Sequence, residues 1–127
     1  EYTARKGVIL GLENHGGITS RAERIVQIVK QVDSPWVGIN LDTGNFRTDP
    51  YPQIEMCLPY AVNAQFKAEI GEGGRRQPSD WNRIVALFAK AGYKGYLALE
   101  YEAAEDPATA VPRLMAQLRA LARKYSG

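Results

Sequence analysis

Glu13, Asp42, Gln65 and Glu100 each stand at or near the end of a short apolar run, over 8–13, 36–42, 61–67 and 96–100. Each offers oxygen to a hard cation, and the carboxylates can also take up or return a proton. Three carboxylates gathered in one place repel each other unless a cation or bound protons neutralise them. A divalent ion with oxygen ligands is the economical solution. Taken singly, each carboxylate reads more simply as a helix cap or a solvated loop residue. Their recurrence at the ends of consecutive runs points instead to one metal-binding constellation.

The runs are short and rich in Val, Ile, Leu, Phe and Tyr, which predicts strands. Helical periodicity fills the intervals. Ser20, with Glu23 three residues on, has the form of a capping box. Ile25, Ile28, Val29 and Val32 then line one helical face, and Asp33-Ser34-Pro35 ends that helix. A short helix is expected over 51–58, bounded by prolines. Ser79 is the expected cap of a third helix through Trp81, Ile84, Val85 and Phe88, ended by Gly92. The last helix carries Val111, Leu114, Met115, Leu118, Leu121 and Tyr125 at helical spacing, with Pro107 or Pro112 near its start. Trp36, Trp81 and Phe88 are assigned to the core, and Met56 and Cys57 to packing.

Strand and helix thus alternate four times, at intervals close to the roughly 30 residues of a strand–helix–strand unit, which predicts a parallel α/β sheet. Counting back by twos gives one face of each strand: Glu13, Gly11, Ile9; Asp42, Asn40, Gly38; Lys67, Gln65, Asn63; Glu100, Ala98, Tyr96. That face is small and polar, whereas Leu10, Leu12, Ile39, Leu41, Ala64, Phe66, Leu97 and Leu99 make the other apolar. A doubly wound sheet carries helices on both faces and nearly continuous apolar strands. One polar face ending in carboxylates fits a barrel lumen better. A complete (βα)8 barrel needs about 250 residues. The 127 residues here predict a single α/β domain over 1–127, a (βα)4 half of a TIM barrel.

Composition narrows the function classes. A net charge of +2, with dispersed basic residues, argues against nucleic acid. One cysteine excludes an internal disulfide, and one histidine excludes multi-histidine metal clusters. No apolar run approaches the ~20 residues of a membrane span.

Leu12-Glu13-Asn14-His15-Gly16-Gly17, Asp42-Thr43-Gly44-Asn45, Phe66-Lys67 and Gly92-Tyr93-Lys94-Gly95-Tyr96, leading into Leu99-Glu100, resemble the xylose-isomerase-like TIM barrels. These are sugar and sugar-phosphate isomerases and epimerases. The resemblance covers essentially the whole chain and corresponds to the family's last four strand–helix units, which makes 1–6 the tail of a preceding helix. It implies one divalent ion held by Glu, Asp, His and Glu. Glu13, Asp42 and Glu100 match the first, second and fourth ligands, while Gln65 stands where His is commoner. A Gln carbonyl oxygen can still coordinate, and an all-oxygen set favours Mn²⁺ or Mg²⁺ over Co²⁺ or Zn²⁺. The resemblance also implies that Glu13 and Glu100 form an acid/base pair. One removes a proton next to a carbonyl and the other returns one, while a cation stabilises the charge that develops.

Other residues support this centre. His15, two beyond Glu13, reads as a substrate contact or a hydrogen-bonded loop histidine. Asn45 stands where many relatives place a His that contacts substrate or water, and it reads equally as a turn former after Gly44. Lys67 faces inward beside Gln65, toward a carboxylate or a substrate oxygen. Arg75, in the glycine-rich stretch 71–76, is a candidate substrate or phosphate contact. Glu102, two beyond Glu100, reads as a supporting partner of the centre or, more simply, as a rim salt bridge.

The function implied is a divalent-metal-dependent isomerase or epimerase of a small sugar or sugar phosphate, expected in the cytoplasm, with an N-terminal targeting signal also open. A lyase or dehydratase on the same scaffold and a non-catalytic, self-assembling half barrel are the alternatives. A DNA-repair endonuclease on the related barrel is disfavoured by the single histidine. Four strands leave two open edges and a lumen with no opposite wall. A homodimer, or a complementary N-terminal half barrel, is therefore expected.

Overall fold

The computed structural model describes residues 1–125. In chain order the elements are β1 (Leu10–Glu13), α1 (Ala22–Val32), β2 (Val37–Asp42), α2 (Pro50–Cys57), β3 (Ala61–Phe66), β4 (Glu69–Glu72), β5 (Arg75–Pro78), α3 (Trp81–Lys90), β6 (Leu97–Leu99) and α4 (Pro107–Tyr125). Four of the strands form a parallel sheet in the order β1-β2-β3-β6. A doubly wound sheet reverses its strand order at a switch point. This order never reverses, as in the wall of a barrel.

Period-two alternation sorts the two faces. Ile39, Leu41, Ala64 and Phe66 are fully buried on one face, against Ile25, Ile54, Ile84 and Phe88 from the helices. The Phe66 ring meets Trp81 edge-on at 6.1 Å and Phe88 at 5.3 Å. The helices pack in succession, α1 on α2, α2 on α3 and α3 on α4. On the other face Asn40, Asn63 and Gln65 are half-buried and Ala98 is exposed, as befits a lumen wall. The architecture is the (βα)4 half barrel expected from the sequence.

Several local expectations are corrected. The strands are shorter than the apolar runs: Val8, Ile9 and Tyr96 lie outside them and are exposed. Trp36, expected in the core, stands just before β2 with its N–H on Ser34 Oγ and is 36% exposed. Ser20 does not cap α1, because it closes a 3-10 turn over Gly17–Thr19 in helical geometry. Arg21 takes the extended cap position, and the Ala22 N–H is satisfied at 3.0 Å by Gln53 Oε1 of α2. At α3 the cap is Asp80, not Ser79, because its carboxylate accepts the Arg83 N–H. The 71–76 stretch is not a plain loop but the turn of an antiparallel hairpin, β4–β5, with Gly73 and Gly74 at positive φ. Residues 4–6 form one 3-10 turn with no buried residue. No described helix is long and apolar enough to cross a membrane.

Candidate active site

The strand ends deliver the chemistry. Glu13 and Asp42 are the last residues of β1 and β2, and Gln65 lies one before the end of β3. Glu100 follows β6 directly, tied back to the sheet by its N–H on the Phe66 carbonyl. Register puts Asp42 beside Gln65. The four residues therefore run in a staggered line across the C-terminal edge of the sheet, because Glu13 pairs with Asn40, two before Asp42, and Gln65 with Ala98, two before Glu100. Barrel enzymes carry their active sites at this edge.

Asn14 fixes the edge of this row. Its side chain donates to the Asp42 carbonyl and accepts the Asp42 N–H, both at 2.8 Å, and so extends the β1–β2 pairing by one residue. The Asp42 carboxylate is fully buried. Its Oδ1 accepts the Gly44 N–H at 2.8 Å, and its Oδ2 accepts Asn45 Nδ2 at 2.8 Å. Asn45 Nδ2 also reaches Glu13 Oε1 at 3.4 Å, so one amide joins two carboxylates.

Lys67 is the second organiser. Its side chain is 2% exposed, and its Nζ lies 3.3 Å from Asp42 Oδ2, 3.5 Å from Glu100 Oε1 and 2.5 Å from Glu102 Oε2. The stem passes directly beneath the loop after β2. A Cβ on Gly44 would stand 2.7 Å from Lys67 Cβ and 2.8 Å from the Glu69 carbonyl, so only glycine admits it.

Burial pushes the Asp42 carboxyl up to about 6, against the lowering effect of the Gly44 N–H and of Lys67. Burial pulls the Lys67 ammonium down, but the hydrogen bond to Glu102 and the charges of Asp42 and Glu100 outweigh it and hold the ammonium above its ordinary value. The Lys67 hydrogen bond holds Glu102 below the usual range.

A directional chain of amides completes the row. Asn63 Nδ2 donates to Asn40 Oδ1 at 2.8 Å, Asn40 Nδ2 to Gln65 Oε1 at 2.6 Å, and Gln65 Nε2 to Glu100 Oε2 at 2.6 Å. Gln65 thus turns its NH₂ toward Glu100 and commits its oxygen to Asn40. His15 and Arg75 are both exposed and line a cavity of about 520 Å³ between the 43–48 loop and the β4–β5 hairpin. Asn45 and Lys67 line the same cavity. It therefore opens onto the carboxylates.

By donor chemistry Glu13, Asp42 and Glu100 fit a divalent ion. All three are hard oxygen donors, and with Glu102 they set four carboxylates against the single ammonium of Lys67. As placed, no three described His, Cys, Asp or Glu side chains converge on one point, and the Gln65 oxygen accepts one hydrogen bond from Asn40. Two residues carry weight that the sequence reading did not give them: Asn14 and Asn40. Asn14 had a signal in its place directly after Glu13, and Asn40 in its lumen-facing parity.

The row at the strand ends and the unreversed strand order agree with the comparison of families. The model of the xylose isomerase-like TIM barrel matches residues 1–121. The chain belongs to that family. A xylose isomerase domain protein from Planctomyces limnophilus is structurally similar, with a TM-score of 0.74 at 16% identity, over 98% of this chain and 49% of that one. The 3-keto-D-glucoside 4-epimerase of E. coli is similar at a TM-score of 0.74 and 18% identity, over 93% of this chain and 48% of that one. The chain thus spans about half the length of these xylose isomerase-like relatives. A search of curated proteins gave no match.

Proposed function

We propose that the chain is the C-terminal half of a sugar or sugar-phosphate isomerase or epimerase that works by proton transfer next to a carbonyl. The observation that carries this reading is the row of Glu13, Asp42, Gln65 and Glu100 at the mouth of a xylose isomerase-like half barrel, joined by Lys67 and Asn45. The epimerase activity named for the E. coli relative supports the same reaction class.

Glu13 and Glu100 end the outermost strands of the sheet, with Asp42 and Gln65 between them. A substrate lying across the strand ends is therefore flanked by two carboxylates. One takes the proton from the carbon next to the carbonyl, and the other returns one. The Gln65 NH₂ and the Lys67 ammonium fix the orientation of Glu100. A divalent ion, Mn²⁺ or Mg²⁺, held by Glu13, Asp42 and Glu100 would supply Lewis acidity at the carbonyl oxygen. A second copy of the chain, or a complementary N-terminal half barrel, closes the lumen.

The test is incorporation of solvent deuterium next to the carbonyl of ketoses and ketose phosphates by the closed barrel, read by NMR. Exchange should fall about 100-fold or more in Glu13→Gln and in Glu100→Gln. Undiminished exchange in both variants would refute the assignment.

A further inference from the structure

The lumen face carries polar side chains that the strand-end centre does not itself use. Asn40 and Asn63 are paired in register, two residues before Asp42 and Gln65 respectively. They therefore sit about 7 Å beneath the strand ends, too deep to touch a substrate laid across the mouth. Each amide hands its N–H to the next oxygen in the same sense: Asn63 to Asn40 at 2.8 Å, Asn40 to Gln65 at 2.6 Å, and Gln65 to Glu100 Oε2 at 2.6 Å. An amide has one donor end and one acceptor end, so such a row can run either way. Here the anion at its end sets the direction, because only an N–H can face a carboxylate oxygen. Successive bonds polarise one another, and the far amides strengthen the near one. On its β1 side Asn40 meets nothing polar. Gly11 stands there, and a Cβ on it would come 3.1 Å from Asn40 Cβ. Asn40 turns its amide to β3 instead. Glu13 has no comparable support: among the described residues its carboxylate accepts one hydrogen bond, from Asn45 Nδ2 at 3.4 Å.

Resting on the proton-transfer reading above, we propose that Asn40 and Asn63 are positioning residues, a one-way amide relay that acts through Gln65 to hold the Glu100 carboxylate in place for proton transfer. Both oxygens of Glu100 are then set before substrate arrives, Oε2 by Gln65 and Oε1 by Lys67 at 3.5 Å. A group placed in advance needs no reorganisation at the moment of reaction. Glu13, held by one long contact, is the partner left to adjust. Gln65 is the last link of the relay, and its N–H, rather than its oxygen, is what the strand-end centre uses.

Two readouts test the relay, one of them without turnover. In the chain isotope-labelled at its Asn and Gln side-chain amides, NMR follows the Gln65 NH₂ group. Asn40→Leu and, more weakly, Asn63→Leu should shift that resonance. Glu100→Gln should shift the NH₂ groups of Gln65, Asn40 and Asn63 in decreasing order. In solvent-deuterium exchange by the closed barrel with fructose or fructose 6-phosphate, Asn40→Leu should lower kcat about tenfold and leave KM unchanged. Added to Gln65→Leu it should cause no further loss, because it acts only through Gln65. Residues that merely support the wall would give additive losses. Unchanged melting profiles verify the fold, and where Asn40→Leu melts lower, Asn63→Leu carries the same comparison. A Gln65 resonance unmoved by both Leu variants, additive losses, or a rise in KM at unchanged kcat would overturn the relay. A parent that exchanges neither ketose refutes the proton-transfer reading, and the relay's part in it, a result distinct from an unmoved resonance.

Discussion

The Lys67 ammonium stands within 3.5 Å of Asp42, Glu100 and Glu102 while its own side chain is 2% exposed. Removing one member of a buried charged cluster leaves the others without compensation, typically at a cost of a few kcal/mol. Lys67→Met should therefore lower unfolding stability by about 3 kcal/mol at pH 8, measured by urea denaturation. The pH dependence follows from Asp42. Its folded value, about 6, exceeds its ordinary 3.8, so the folded state binds the proton more tightly. The associated stability is present below about 3.8 and is lost as pH rises through about 6. Below pH 6 a protonated Asp42 no longer needs the ammonium, and the difference between Lys67→Met and the parent should shrink. A difference of the same size at pH 5 and pH 8 would contradict this account. Gln65 shows where residue-level reading stopped. Its type and place were legible, but the direction of its amide was not, because Asn40 and Asn63 set it from neighbouring strands.

At the scale of elements, the alternation of strand and helix was legible because each apolar run carries period-two sorting and each helix a buried stripe. In α4, for instance, Leu114, Leu118 and Leu121 are buried where the spacing placed them. The hairpin was not legible, because Arg75-Arg76-Gln77-Pro78 is exposed throughout and ends in proline. It presents no alternation, and only the Gly73-Gly74 pair hinted at a turn. Ser20 does not cap α1 because a preceding 3-10 turn claims it, a competition that the capping pattern alone does not reveal. The loop after β2 offers the sharpest test at this scale. Gly44→Ala places a methyl 2.7 Å from Lys67 Cβ and 2.8 Å from a carbonyl. Overpacking of this kind typically costs about 1–3 kcal/mol, so the variant should melt lower and disturb the seat of Lys67. A melting temperature equal to that of the parent would mean that the loop has room the structure does not show.

The whole molecule is a wall with one finished face. The helices cover the apolar side, while the lumen side and both sheet edges stand open. Val8, Ile9 and Leu10 near one edge are about half exposed, and Tyr96 near the other is 85% exposed. Open edges pair with other strands, and the solved relatives are about twice as long. Sedimentation of the pure chain at micromolar concentration should therefore give a dimer that closes eight strands, whereas a compact, stable monomer would contradict it. The central claim is that Glu13, Asp42 and Glu100, contributed by separate strands, act as one centre for a divalent ion. Calorimetric titration with Mn²⁺ tests it most directly. The account predicts saturable binding that is mostly lost in both Glu13→Gln and Asp42→Asn, since each removes an anionic ligand. Mn²⁺ affinity unchanged in both variants would contradict it.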